Sequence, residues 1–66
     1  MVDSELKLSR VRAALRTYRR CLEDNKRFAQ DCKERRSYAE EYFNGQVKAF
    51  EFVCETLEEI IGKVED

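Results

Sequence analysis

Apolar residues recur along the chain in one heptad register from Leu8 to Val64. One set is Leu8, Leu15, Leu22, Ala29, Arg36, Phe43, Phe50, Leu57 and Val64. The other is Val11, Tyr18, Asn25, Cys32, Ala39, Gln46, Val53 and Ile60. Only Asn25, Arg36 and Gln46 are plainly polar. A spacing that alternates three and four residues places every position on one stripe of a helix. The two-residue alternation of a strand extends over no useful length. The pattern predicts an all-α chain.

The stripe has one costly position, Arg36, which a continuous helix would put in its core. The neighbouring residues favour a break there. Ser37-Tyr38-Ala39-Glu40 has the form of a capping box, in which the Ser37 hydroxyl accepts from the Glu40 amide and the Glu40 carboxylate reaches the Ser37 amide. Lys33, Arg35 and Arg36 suit the negative end of a helix dipole, and Glu40 and Glu41 the positive end. Asn44-Gly45 and Asp24-Asn25 are competing turn dipeptides. A break at Asn44 leaves helices of very unequal length. The preferred reading is an antiparallel hairpin with helix 1 over about 4–34, a turn over about 35–37 and helix 2 over about 38–63. Asp3 or Ser4 is the expected N-cap, Gly62 the expected C-terminal stop, and residues 63–66 are expected to fray. The alternative is one unbroken helix of about sixty residues paired antiparallel with a second copy, a domain swap of the same contacts.

Folding the hairpin about residue 36 sets Leu15 near Leu57, Leu22 near Phe50, Val11 near Ile60 or Ile61, and Ala29 near Phe43. Arg12, Arg19 and Lys26 flank this seam on the first helix, within reach of Glu51, Glu55 and Glu58 on the second. Such exposed pairs contribute about 0.2–1 kcal/mol each. The apolar surface is wider than the seam. Tyr42, Val47, Ala49, Cys54 and Ile61 lie beside it, Phe52 points further out, and the first helix adds Ala14, Cys21 and Phe28. One partner helix cannot cover such a stripe, but two hairpins in a four-helix bundle can. The expected homodimer core is Leu15, Leu22, Val47, Phe50, Val53, Leu57, Ile60 and Ile61. The same face also suits docking of another protein's helix.

Composition narrows the function. At 66 residues the chain makes one domain at most. A chain this short hides only about 60% of its unfolded surface, so self-association is a natural source of stability. It has no proline and only Gly45 and Gly62 as glycines, which removes the main obstacles to long helices. The net charge of −1 conceals an asymmetry. Residues 1–36 carry eleven basic and six acidic residues, a net of +5, whereas residues 37–66 carry two basic and eight acidic, a net of −6.

Cys21, Cys32 and Cys54 are an odd number of thiols, with no signal peptide and no apolar run of membrane-spanning length. They imply a reducing, cytosolic setting. Cys21 and Cys32 lie about 16 Å apart along a helix and cannot share one ion, and Cys54 is expected opposite Thr17 or Tyr18. All three read as small packing residues, with no metal and no cofactor. Histidine is absent, and with it the commonest general base. No nucleophile–base set, glycine-rich phosphate loop or facing carboxylate pair is present, and a two-helix chain has no room for a concave pocket. The expectation is a non-enzyme.

Two charged segments offer alternatives. Lys7–Arg20 (KLSRVRAALRTYRR) carries six positive charges and no acid. Arg12, Arg16 and Arg19 share one face, and Arg20 and Arg27 line another. Arg10, Arg16, Arg20 and Arg27 are the candidate nucleic-acid or partner-binding residues. Glu51, Glu55, Glu58 and Glu59 could instead mimic phosphates and inhibit a nucleic-acid-binding protein, although a solubilising outer face explains them as well.

The segment YFNGQVKAFEFVCETLEEI (Tyr42–Ile60) resembles the C-terminal helix of many short uncharacterised proteins of phages and other mobile elements. They share its aromatic helix start, its Gly, and an aliphatic-Glu-aliphatic stretch ending in Leu-Glu-Glu. The layout is also similar in size and architecture to plasmid-encoded helical-hairpin regulators that dimerise into four-helix bundles. These resemblances imply a small regulatory or host-takeover protein and assign no functional residue. The leading expectation is a homodimeric helical-hairpin regulator or adaptor that binds another protein.

Overall fold

A computed structural model of the chain describes residues 2–65. Two helices make up the fold: α1 (Val2–Glu34) and α2 (Ala39–Glu65). They pack along each other as an antiparallel hairpin of 51 × 15 × 13 Å. No strand occurs among the described residues. The chain turns where the capping residues stand, so the single unbroken helix is not formed.

The turn is built differently from the expected capping box. Arg36 adopts the left-handed conformation, with φ of 55°. The Ser37 amide donates to the Cys32 carbonyl at 2.8 Å, and the Arg36 amide to the Lys33 carbonyl at 3.2 Å. These two bonds close a Schellman motif, which satisfies carbonyls that the helix end leaves unpaired. Because the Ser37 amide is engaged there, the Glu40 carboxylate is not needed to satisfy it. The Ser37 hydroxyl accepts from the Ala39 amide at 3.2 Å rather than from the Glu40 amide, which donates to the Ser37 carbonyl at 3.2 Å. Ser37 still caps α2, one residue earlier in the first turn than expected.

The helix ends also differ. α1 is already helical at Val2, ahead of Asp3 and Ser4, whose side chains lie outside the described residues. Gly62 does not stop α2, which continues through Glu65. A C-terminal glycine acts by taking positive φ, and Gly62 does not. Residues 63–65 are therefore helical, and Asp66 lies outside the described residues. Both internal turn dipeptides sit within helices. The Asn25 amide donates to the Cys21 carbonyl one turn back at 2.7 Å, so it is satisfied without a break.

The seam on α1 is the expected one except at Tyr18, which is 37% exposed. Leu15 and Ala29 are buried, and Leu8, Val11, Leu22, Asn25 and Cys32 are half-buried. On α2 one row of the register changes. Phe43, Phe50 and Leu57 are half-buried, as expected, but their companions across the seam are Val47, Cys54 and Ile61. Cys54 is buried, whereas Ala39, Ile60 and Val64 are exposed. The rotation spares Gln46 full burial and lets its amide donate to the Tyr42 hydroxyl at 2.9 Å. Two ring pairs bridge the helices: Tyr18 with Phe50 at 6.0 Å and Phe28 with Phe43 at 5.4 Å between centroids. Both are tilted, within the favourable range for aromatic pairs.

Candidate interaction surface

The hairpin has two unlike sides. On α1, Arg12, Arg19, Lys26 and Lys33 recur every seven residues and therefore share a face. On α2, Glu51, Glu55 and Glu58 sit at the matching side of the seam. Arg19 and Glu58 join these rows by an ion pair of 3.0 Å. About half of each side chain is exposed, so the pair contributes at the low end for such contacts. Lys26, expected to reach across, instead pairs with Glu23 on its own helix at 3.7 Å. The i,i+3 partner is closer in sequence and costs less side-chain ordering.

The opposite side is apolar. Ala14, Cys21 and Phe28 form a heptad row on α1, about a quarter turn before its seam residues. Tyr42, Ala49, Val53 and Ile60 occupy the same offset on α2. Since the helices are antiparallel, equal offsets place both rows on one side of the hairpin. The Tyr18–Phe50 ring pair lies towards this side. Phe28, Tyr42, Ile60 and Val64 are 51%, 62%, 42% and 58% exposed. At the terminal end Lys7, Leu8, Val11, Ile60 and Val64 line a shallow apolar depression. Tyr38, at the turn, is fully exposed, and Phe52 projects from the outer edge of α2.

Of the residues expected in a dimer core, Leu15 is buried within the hairpin itself. Leu22, Val47, Phe50, Leu57 and Ile61 are half-buried along the seam, Val53 is half-buried at its apolar edge, and Ile60 lies on the open apolar side.

The four candidate arginines do not form one stripe. Arg16, Arg20 and Arg27 run along the outer edge of α1, but Arg10 is turned about a third of a circle from Arg16, towards the apolar side. Arg27 is held by Asp24 at 2.6 Å. Arg10, Arg16 and Arg20 have no acidic partner among the described residues. Among the acidic candidates, Glu58 is engaged by Arg19.

Cys54 was not legible as a core residue from the first register, although the row Val47–Cys54–Ile61 carries the signal. Burial pushes its thiol pKa up, Glu58 pushes the same way, Arg19 opposes, and Cys21 adds a smaller upward push. Cys54 therefore lies within electrostatic reach of Cys21, whereas the sequence placed it opposite Thr17 or Tyr18 and opposite no other cysteine. All three thiols are free. No cluster of three or more metal-ligating side chains occurs among the described residues. No helix among them is long and apolar enough to cross a membrane. Comparison with protein-family models, with curated proteins and with solved structures finds no match to the chain.

Proposed function

We propose that the chain is a non-catalytic protein-interaction module, a helical-hairpin regulator or adaptor that pairs with a second copy into a four-helix bundle. One observation carries this reading: the hairpin exposes more surface than a self-sufficient fold of its mass. Folded monomers follow a scaling that gives about 4,400 Å² for a chain of 7.9 kDa. The hairpin exposes 5600 Å². The surplus of about 1,200 Å² is of the order that one partner gives up in a stable interface. The core explains the surplus, since among the described residues only Leu15, Ala29 and Cys54 are buried. A bundle covers the apolar side and leaves the charged side outward to meet a target. Three free thiols suit a reducing compartment.

Concentration-dependent thermal unfolding tests the reading. A dimer that couples folding to association melts at higher temperature as protein concentration rises. A melting temperature independent of concentration over a hundredfold range contradicts it. The second reading, nucleic-acid binding, draws on Arg16 and Arg20 along the outer edge of α1, which have no acidic partner among the described residues. Duplex binding that survives physiological salt would favour it.

A further inference from the structure

We infer that the two hairpins pair with both turns at the same end, so that α1 of each packs on α2 of the other. This rests on the dimer reading above and specifies the surface and the orientation of the second copy. A two-fold pairing of the apolar sides has two solutions, because the symmetry axis must lie in the interface. With the axis along the helices, α1 sits on the partner's α2 and the turns coincide at one end. With the axis across the helices, α1 sits on the partner's α1, α2 on the partner's α2, and the turns lie at opposite ends.

Size complementarity selects the first solution. In it, the apolar row of α1 meets the apolar row of α2 at the levels set by the hairpin itself. Ala14 then comes level with the partner's Ile60, Cys21 with the partner's Val53, and Phe28 falls between the partner's Tyr42 and Gln46. The two small residues, Ala14 and Cys21, each meet a larger one, and the Phe28 ring lodges between two neighbours, as close packing requires. In the second solution the centre of the α1 contact sets Ala14 and Cys21 against each other. Two small residues there leave a void that helices cannot close by relaxing.

Charge selects the same solution independently. Residues 1–36 carry a net of +5 and residues 37–66 a net of −6. Coinciding turns give every basic helix two acidic neighbours. Opposed turns press basic against basic and acidic against acidic across the interface, which is unfavourable at helix spacings close to the screening length. The orientation also decides which surface the bundle shows. Coinciding turns alternate basic and acidic edges around the bundle. Opposed turns would fuse two outer rows of Arg16, Arg20 and Arg27 into one basic ridge, the surface that nucleic-acid binding needs.

Distance measurement by pulsed electron–electron resonance tests the orientation on the full chain. The probe is a nitroxide-bearing amino acid incorporated in place of Tyr38, which is fully exposed beside the turn. Coinciding turns predict an intermolecular distance no greater than about twice the hairpin's 15 Å width. A distance near the hairpin's 51 Å length overturns the orientation and leaves the dimer standing. It would also predict duplex DNA binding at physiological salt, checked by anisotropy on the same sample. Absence of any intermolecular coupling, with a sedimentation mass of 7.9 kDa, overturns both the orientation and the dimer.

Discussion

Arg36 is the residue at which sequence and backbone disagree most, and it yields the sharpest stability prediction. Its φ of 55° lies in the left-handed region, where an L side chain costs about 1–2 kcal/mol. Glycine at this position removes that cost. It also widens the unfolded ensemble, which returns about 0.5–1 kcal/mol. Arg36 is exposed, so little packing is lost with the side chain. Arg36→Gly should therefore stabilise the fold by about 0.5–1 kcal/mol. For a chain of this size that is a rise of several degrees in melting temperature, since 1 kcal/mol corresponds to about 4–8 °C. Arg36→Val should move the other way, because a β-branched side chain tolerates this region least. Thermal unfolding followed by circular dichroism at fixed protein concentration measures both. A lower melting temperature for Arg36→Gly, or no difference between the two variants, would refute the Schellman geometry of the turn.

Three further predictions follow from the packing. Leu15→Ala removes one of the buried side chains and should cost about 2–4 kcal/mol, read by urea denaturation. A double-mutant cycle of Arg19→Ala and Glu58→Gln should give a coupling of no more than about 1 kcal/mol, falling as salt rises, because both groups are half in water. The Cys54 thiol binds its proton more tightly in the folded chain than in the unfolded one. The stability this provides is complete below the unfolded thiol value of about 8.5 and is lost as pH rises through the folded value. The melting-temperature gap between the natural chain and Cys54→Ala should accordingly shrink between neutral and strongly alkaline pH.

How far the fold was legible depended on how many independent signals coincided at each position. The break did, because Ser37, the cations before it and the polar heptad position Arg36 all agreed. What they could not show was that Arg36 itself would carry the left-handed conformation, since arginine has no preference for it. The α1 seam was legible because only one register keeps Leu8, Leu15 and Leu22 inside. On α2, Gln46, Val53 and Ile60 compete with Val47, Cys54 and Ile61, and the two rows differ mainly in one polar residue. Packing against α1 decides between them. Gly62 misled because glycine stops a helix only by taking positive φ. The apolar side was legible from Ala14, Cys21 and Phe28 at heptad spacing. The scatter of Arg10 away from Arg16 is a matter of helical angle that charge counting alone overlooks.

The hairpin is proposed to complete its core with a second copy of itself. Sedimentation equilibrium on the unmodified chain, beside an Ile60→Glu variant, tests it most directly. Ile60 is 42% exposed on the apolar side and lines the depression with Leu8 and Val11, so the charge disfavours pairing and also loosens that end of the hairpin. The natural protein should sediment at twice the 7.9 kDa chain mass at micromolar concentration, and the variant at the single-chain mass with a lower melting temperature. A natural protein that sediments as a stable single chain would contradict it.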